Sequence, residues 1–197
     1  MTDAERWVFL RNKTLHQGFC TVKSVDLRFR RHDGKWSDVV TREYIDKPGA
    51  VGVLPLDLKR KKVILIRQFR IGGIITGELE QWPWEIVAGI KDHSQESALM
   101  TAQRELQEET GLKSEKIVPF MSYFTAPGYT TEKIELFYAL IDSEKAAKYA
   151  GLAAENEDII VDRVSFAEVG EALKQGKIIN GMTLIALEWL MLHKNEL

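Results

Sequence analysis

The segment Arg104-Glu105-Leu106-Gln107-Glu108-Glu109-Thr110-Gly111-Leu112 places three carboxylates in one short helical stretch. Ser97 to Thr110 reads as a helix whose apolar stripe is Ala98, Leu99, Ala102 and Leu106. Glu105 and Glu109 are four apart and share a helical face, while Glu108 lies three from Glu105. Like charges so spaced repel by roughly 0.3 kcal/mol per pair. Gly111 suits the left-handed residue that ends a helix, so the acids also stand at the negative end of the macrodipole. On a wheel with Ala98 at zero, Glu105 falls at about 340° and Glu109 at about 20°, beside Ala102 and Leu106; Glu108 lies on the flank at about 280°. Most acidic runs form a solvated face. Here two acids lie on the side that should meet the core, where a carboxylate needs a partner. Arg104 can pair with Glu108 at i,i+4 but cannot serve all three. A hard divalent cation ligated by oxygen would offset the repulsion and the dipole together.

Composition sets few other limits. The chain of 197 residues is 45% hydrophobic and 28% charged, as expected of a globular protein with a real core. Its net charge of −2 gives no basis for expecting nucleic acid or an anionic membrane surface as partner. Cys20 is the one cysteine, which excludes an internal disulfide and makes a reducing cytoplasm the expected compartment. Met1 to Arg6 lacks the pattern of a secretory leader. The apolar stretch Met182 to Leu192 is interrupted by Glu188 and is too short for a membrane span.

Strand-like alternation dominates the first part of the chain. Cys20 to Arg30 and Lys35 to Tyr44 flank Asp33-Gly34, a pair suited to a tight turn. Val51 to Leu54 and Val63 to Arg67 are short apolar runs, with Pro55 expected to end the first or place it at an edge. Trp84 to Ala88 is a further short strand. After the acidic helix, strands are expected at 117–124, 134–141 and 159–164. Ser165 with Glu168 forms a capping box for a helix stopping at Gly176, and 182–193 reads as a final amphipathic helix. This order predicts an α/β (α+β) fold, a sandwich with a mixed sheet, with residues 1–47 as a small antiparallel β subdomain before a main domain over 48–197.

The acidic helix resembles the Nudix box: Gly, five residues, Glu, seven residues, then Arg-Glu-aliphatic-any-Glu-Glu-any-Gly-aliphatic. Glu96 and every fixed position from Arg104 to Leu112 match, with seven residues between Glu96 and Arg104. One departure precedes them, since six residues rather than five separate Gly89 from Glu96. The resemblance extends from about Gly18 to the C-terminus and is to the ADP-ribose pyrophosphatase and nucleoside-diphosphate-sugar hydrolase branch. It rests on Pro127, sixteen positions after Gly111, on Ser122 to Gly128 with Glu132, on Arg67-Gln68-Phe69-Arg70, on Trp84 to Gly89 and on Leu152 to Asp158.

The resemblance implies an α/β/α sandwich and Mg²⁺-dependent hydrolysis of a nucleoside diphosphate sugar, with Mn²⁺ as a substitute. ADP-ribose would give AMP and ribose 5-phosphate; GDP-mannose or another nucleotide sugar is the alternative substrate. A non-catalytic nucleotide sensor is a further reading, though such domains usually lack the box glutamates kept here. Metal ligands would be Glu105, Glu109, the Ala88 carbonyl and Glu108, with Glu96 in support. Arg104 would orient the glutamates, and Glu155 would orient or deprotonate the attacking water. Arg70 and Arg42 would contact phosphate or ribose, and Glu85 and Pro127 belong to the substrate-binding set. Phe19 stacks on the base or packs against its hairpin. Trp82 and Trp84 line the pocket or, more in keeping with their type, serve the core or a dimer interface. His93 receives no catalytic role. Related enzymes are homodimers with a swapped N-terminal sheet, and the same is expected here.

Overall fold

The computed structural model describes residues 6–77, 82–91 and 96–197, with the backbone only at Glu155. The chain forms two compact units. One is built from the chain before Ala50 together with Tyr123–Ile134, and the other from Ala50–Ser122 and Glu135–Leu197. Among the described residues no helix is long and apolar enough to cross a membrane.

In the first unit β1 (Trp7–Gln17), β2 (Thr21–Phe29) and β3 (Val40–Asp46) form an antiparallel sheet in that order. Strand β1 escapes the sequence pattern because its register slips between Phe9 and Arg11 and again between Thr14 and His16. Each bulge resets the period of two on which a strand is recognised. All eleven of its residues are exposed. Asp33-Gly34 does make a turn: Gly34 adopts φ 80°, and the Lys35 N–H donates to Asp33 Oδ1 at 2.9 Å. The flanking strands are shorter than expected, because Ser37 Oγ takes the Phe29 N–H at 3.1 Å in place of a ladder partner. Residues 126–129 form a turn in this unit, in which the Tyr129 N–H donates to the Ala126 carbonyl at 3.0 Å. Pro127 takes its second position, where a fixed φ near −65° is wanted.

In the second unit the elements run β4 (Ala50–Asp57), β5 (Lys62–Arg67), α1 (Ile71–Ile75), β6 (Trp84–Glu85), β7 (Val87–Ile90), α2 (Ala98–Thr110), β8 (Ile117–Phe124), β9 (Lys133–Leu140), β10 (Tyr149–Ala150), β11 (Ile159–Ser165), α3 (Phe166–Lys174) and α4 (Gly181–His193). They include a mixed sheet of eight strands ordered β10-β11-β5-β4-β9-β8, with β6 on β5 and β7 on β4. Every residue of β4 is buried. Val51 and Val53 join Ile64, Ile66, Ala102 and Leu106 in a core beneath α2. Gly52, one step out of phase, points toward α4, where a Cβ would stand 2.7 Å from Met182 Sδ. Layers on both faces of β4 explain its unbroken apolar run.

Several local expectations need correction. Pro55 neither ends β4 nor lies at an edge: it sits between Val53, the last residue paired with β7, and Leu56, the first paired with β5. The missing N–H therefore falls where the registered pairings change partner. Leu99 is 42% exposed and lies off the apolar stripe of α2. Helix α4 is not amphipathic, since Leu184 and Leu192 on its outer side are as apolar as the buried Leu187 and Leu190. Helix α1 is missed because five residues containing Gly72-Gly73 carry no helical signal.

Candidate active site

Ser97 caps α2 by accepting from the Met100 N–H at 3.2 Å, and Gly111 ends it at φ 71° with its N–H on the Gln107 carbonyl. Between these stops Ala102 and Leu106 are fully buried, and the helix carries Glu105 (9% exposed) and Glu109 (2% exposed) into the adjoining edge of the core. Both carboxylates lie against β7. The Ala88 N–H donates to Glu109 Oε2 at 3.0 Å. Glu105 fills the space where Gly89 lacks a side chain, and a Cβ there would stand 1.8 Å from Glu105 Oε1. A strand held by β4 thus provides the floor on which the helix lays its acids.

Arg104 gathers the other acids. Its Nη1 donates to Glu105 Oε1 at 2.6 Å and to Glu108 Oε2 at 2.9 Å, while Nε and Nη2 each reach Glu96 at 3.2 Å. Thr101 Oγ1 also donates to Glu96, at 3.1 Å. The guanidinium is held in its charged form: burial opposes the charge, but Glu96, Glu105 and Glu108 outweigh it. Burial pushes the Glu105 carboxyl up to about 7, against the opposing pull of Arg104, with Glu108 and Glu157 adding repulsion. Glu109 is raised well above the ordinary carboxylate range by burial, offset in part by the Ala88 N–H.

These oxygens fit a hard divalent cation on three observations. The donors are all carboxylates or backbone carbonyl, burial pushes the two deepest acids toward their neutral forms, which an added cation would oppose, and the Gly89 gap keeps β7 close to them. Among the described residues no three ligating side chains converge on one point. Arg104 draws Glu105 and Glu108 to itself, and Glu109 hangs on the Ala88 N–H.

A second ion pair stands beside this cluster. Glu85 is 2% exposed and accepts from Arg70 through Nε at 3.0 and 3.1 Å and through Nη2 at 2.6 Å. Arg70 also feels the charges of Glu109 and Glu157. Glu157 was not singled out from the sequence, yet it is the loop acid whose charge reaches Glu105, Glu109 and Arg70. Its only sequence signal was its place two residues after Glu155. The loop is tied to α2 by the Ala147 N–H on the Thr110 carbonyl at 2.9 Å and the Gly151 N–H on the Glu108 carbonyl at 3.3 Å. Gly151, at φ 98°, leaves room for Glu157, whose Cβ would lie 2.9 Å from an added Cβ. The backbone of Glu155 closes a 3-10 turn over Ala153–Glu155, and its side chain lies outside the described residues.

Other sequence candidates lie elsewhere. Phe19 is 93% exposed at the β1–β2 turn, Arg42 Nη1 donates to the Thr41 carbonyl at 2.9 Å, and Pro127 is exposed in its turn; all three belong to the first unit. Trp82 meets Phe69 edge-on at 5.8 Å, and Trp84 Nε1 donates to Asp162 Oδ2 at 2.8 Å. Both tryptophans line a cavity of about 700 Å³ with Arg67, Asp162, Lys177 and Ile179, away from the acids. Residues 92–95 of the lengthened loop, including His93, lie outside the described residues.

In this α/β sandwich one helix lays two buried carboxylates along the neighbouring strand, Glu105 over Gly89 and Glu109 on the Ala88 N–H. The NUDIX domain pattern matches residues 46–182, and the chain belongs to the Nudix family. It is 37% identical over 190 residues to an ADP-ribose pyrophosphatase of Haemophilus influenzae, covering 95% of this chain and 87% of that protein. It is likewise 37% identical over 185 residues to the ADP-ribose pyrophosphatase of Escherichia coli, covering 94% and 88%. A GDP-mannose pyrophosphatase of Cronobacter sakazakii is 30% identical over 186 residues, covering 93% and 94%. A solved structure described as an ADP compounds hydrolase shares the fold, with a TM-score of 0.72 at 24% identity over 94% of this chain and 95% of that one.

Proposed function

We propose that this Nudix pyrophosphohydrolase cleaves the pyrophosphate bond of nucleoside diphosphate sugars, converting ADP-ribose to AMP and ribose 5-phosphate. The observation that carries the reading is the buried pair Glu105 and Glu109 on the Ala88-Gly89 strand. The relatives named ADP-ribose pyrophosphatase support the substrate. The GDP-mannose pyrophosphatase relative supports a second reading, in which GDP-mannose is preferred.

Glu105, Glu109, Glu108 and the Ala88 carbonyl hold Mg²⁺, with Mn²⁺ as a substitute, and Glu96 supports them. When bound, such ions would neutralise phosphate charge and make an attacking water more acidic. Arg104 keeps Glu96, Glu105 and Glu108 in place as a set. Arg70, braced by Glu85, presents its guanidinium to a phosphate oxygen, and Arg42 adds a phosphate or ribose contact. Glu155 orients or deprotonates the attacking water. Phe19 and Pro127 complete the substrate contacts on the nucleoside side.

The protein acts in the cytoplasm, a reading supported by its single free cysteine. It works as a homodimer that exchanges its N-terminal sheet. Support comes from β1, an edge strand that exposes Trp7, Val8, Phe9, Leu10 and Leu15. Release of AMP from ADP-ribose, measured with Mg²⁺ and with excess chelator, tests the activity. Turnover with Mg²⁺ alone supports it, while tight binding of intact ADP-ribose without cleavage would make the protein a sensor. A panel including GDP-mannose, UDP-glucose and NADH, compared by kcat/KM, ranks the substrates.

A further inference from the structure

The brace behind Arg70 does not end at Glu85. Asn180, the N-cap of α4, donates from Nδ2 to Glu85 Oε1 at 3.1 Å. Its Oδ1 accepts from the Thr183 N–H at 3.0 Å and from Thr183 Oγ1 at 3.1 Å. Thr183 is fully buried, and its Oγ1 in turn accepts the Ile86 N–H at 3.0 Å. Ile86 is the residue between β6, which carries Glu85, and β7, which carries Ala88 and Gly89.

A helix cap alone does not call for asparagine. Serine and aspartate cap about as well, because capping uses only an acceptor oxygen. Asparagine alone of the three carries, beside its capping oxygen, a separate amide nitrogen that can donate to a second partner while the cap is made. Here that donor is aimed at a carboxylate that is 2% exposed and that, among the described residues, otherwise receives only Arg70. With both its oxygens engaged, the plane of the Glu85 carboxylate is set, and a paired guanidinium follows that plane. Nε and Nη2 of Arg70 face Glu85, so the Nη1 edge of a side chain that is 47% exposed is the one turned outward.

We propose that Asn180 is a positioning residue for substrate binding: by holding Glu85 from the cap of α4 it fixes the direction in which Arg70 presents its free edge to a phosphate oxygen. This rests on the reading above, in which Arg70 meets the pyrophosphate. The same asparagine, through Thr183 and Ile86, ties the start of α4 to the strand that floors the acidic cluster.

Two variants separate positioning from capping. Asn180→Ser keeps the cap oxygen on a side chain too short to reach Glu85 with an Nδ2-like donor; Asn180→Asp keeps the cap and sets a carboxylate against Glu85. Both should stay folded because the cap survives, with Asn180→Ser melting several degrees below wild type and Asn180→Asp lower still, so KM is read well below both transitions. KM for ADP-ribose should rise about tenfold in Asn180→Ser, the loss of one hydrogen bond to a charged group, and further in Asn180→Asp. Their kcat should stay within about twofold, because a contact made equally in ground and transition states shows in KM. Arg70→Ala is measured alongside. A wild-type KM in both Asn180 variants, with a raised KM in Arg70→Ala, makes Asn180 only a cap and overturns the proposal while the hydrolase reading stands. A wild-type KM in Arg70→Ala as well removes Arg70 from the substrate, overturning the proposal and the Arg70 contact it rests on, while cleavage of ADP-ribose itself stands.

Discussion

Substituting Gly89 by alanine tests the site through a single methyl group. The new Cβ would lie 1.8 Å from Glu105 Oε1, 2.0 Å from Cδ and 2.4 Å from Cγ. Ordinary contact begins near 3.4 Å, so the carboxyl must retreat by about 1.6 Å. Gly89 does not need a left-handed backbone, and the obstacle is the far end of a flexible side chain. The fold should therefore survive, with a melting temperature within a few degrees of wild type. Catalysis should not survive equally well. A misplacement of about 1 Å costs on the order of 100-fold, equivalent to about 2.7 kcal/mol of barrier. The assay is kcat for AMP release from ADP-ribose over a Mg²⁺ titration, with thermal melting in parallel. Glu105→Ala supplies the control, because it removes the group that is displaced. If the loss runs through Glu105, adding Gly89→Ala to Glu105→Ala should lower kcat no further. Activity within twofold of wild type in Gly89→Ala would refute the reasoning, as would fully additive losses in the double variant.

Glu109→Gln should abolish metal-dependent turnover yet raise the melting temperature of the metal-free protein. Burial drives Glu109 toward its neutral form, and an amide still accepts the Ala88 N–H; the gain should be larger at pH 8 than at pH 5, because a raised acid costs stability above its own pKa, and equal melting at both pH values would speak against it. Glu105, pushed up to about 7, should bind proton and cation in competition, so the Mg²⁺ concentration for half-maximal activity should climb as pH falls through 7. Glu155→Gln should cut kcat far more than KM; an unchanged kcat, with Glu157→Gln inactive instead, would move water activation to Glu157. Asp57 is 2% exposed and accepts from Ser143 N, Ser143 Oγ, Arg60 N and Arg60 Nη1 at 2.6 to 3.0 Å. Burial works against its charge, but these donors hold the carboxyl below the usual range. Asp57→Ala should cost about 3 kcal/mol at neutral pH, and the gap to wild type should close as pH drops below about 4, where the unfolded chain takes up the proton.

What could be read without coordinates followed from local periodicity. The wheel that set Glu105 and Glu109 among Ala102 and Leu106 depends only on 3.6 residues per turn, and the two acids are 9% and 2% exposed. The capping box of α3 and the glycine stop of α2 are likewise local, and both are present. Elements whose period is interrupted were not readable: β1 carries two register shifts, and α1 is five residues long with two glycines. Pro55 misled because strand rules assume one partner along a strand, whereas β4 changes partners beside it. Glu157 and Asn180 were missed for a third reason. Their roles come from folding, across the 95 residues between Asn180 and Glu85, and across a loop that backbone bonds pin to the end of α2. Asn180 has no distinguishing neighbour in sequence, and Glu157 shares its stretch with Glu155, from which sequence alone does not separate it.

The charges of the site explain why a chain keeps so unfavourable a helix. Glu85, Glu96, Glu105, Glu108, Glu109 and Glu157 face Arg70 and Arg104, four negative charges in excess when all are ionised. The protein alone answers this imbalance by sharing Arg104 among three acids and by pushing Glu105 and Glu109 toward their protonated forms. A pyrophosphate diester adds two more negative charges. The acids together with such a substrate then carry six negative charges in excess of Arg70 and Arg104 when all are ionised. On the reading proposed above, the same carboxylates that destabilise the helix would make binding of the anion conditional on binding of divalent cations. A steep dependence of KM on Mg²⁺, rather than of kcat alone, is the behaviour this arrangement requires.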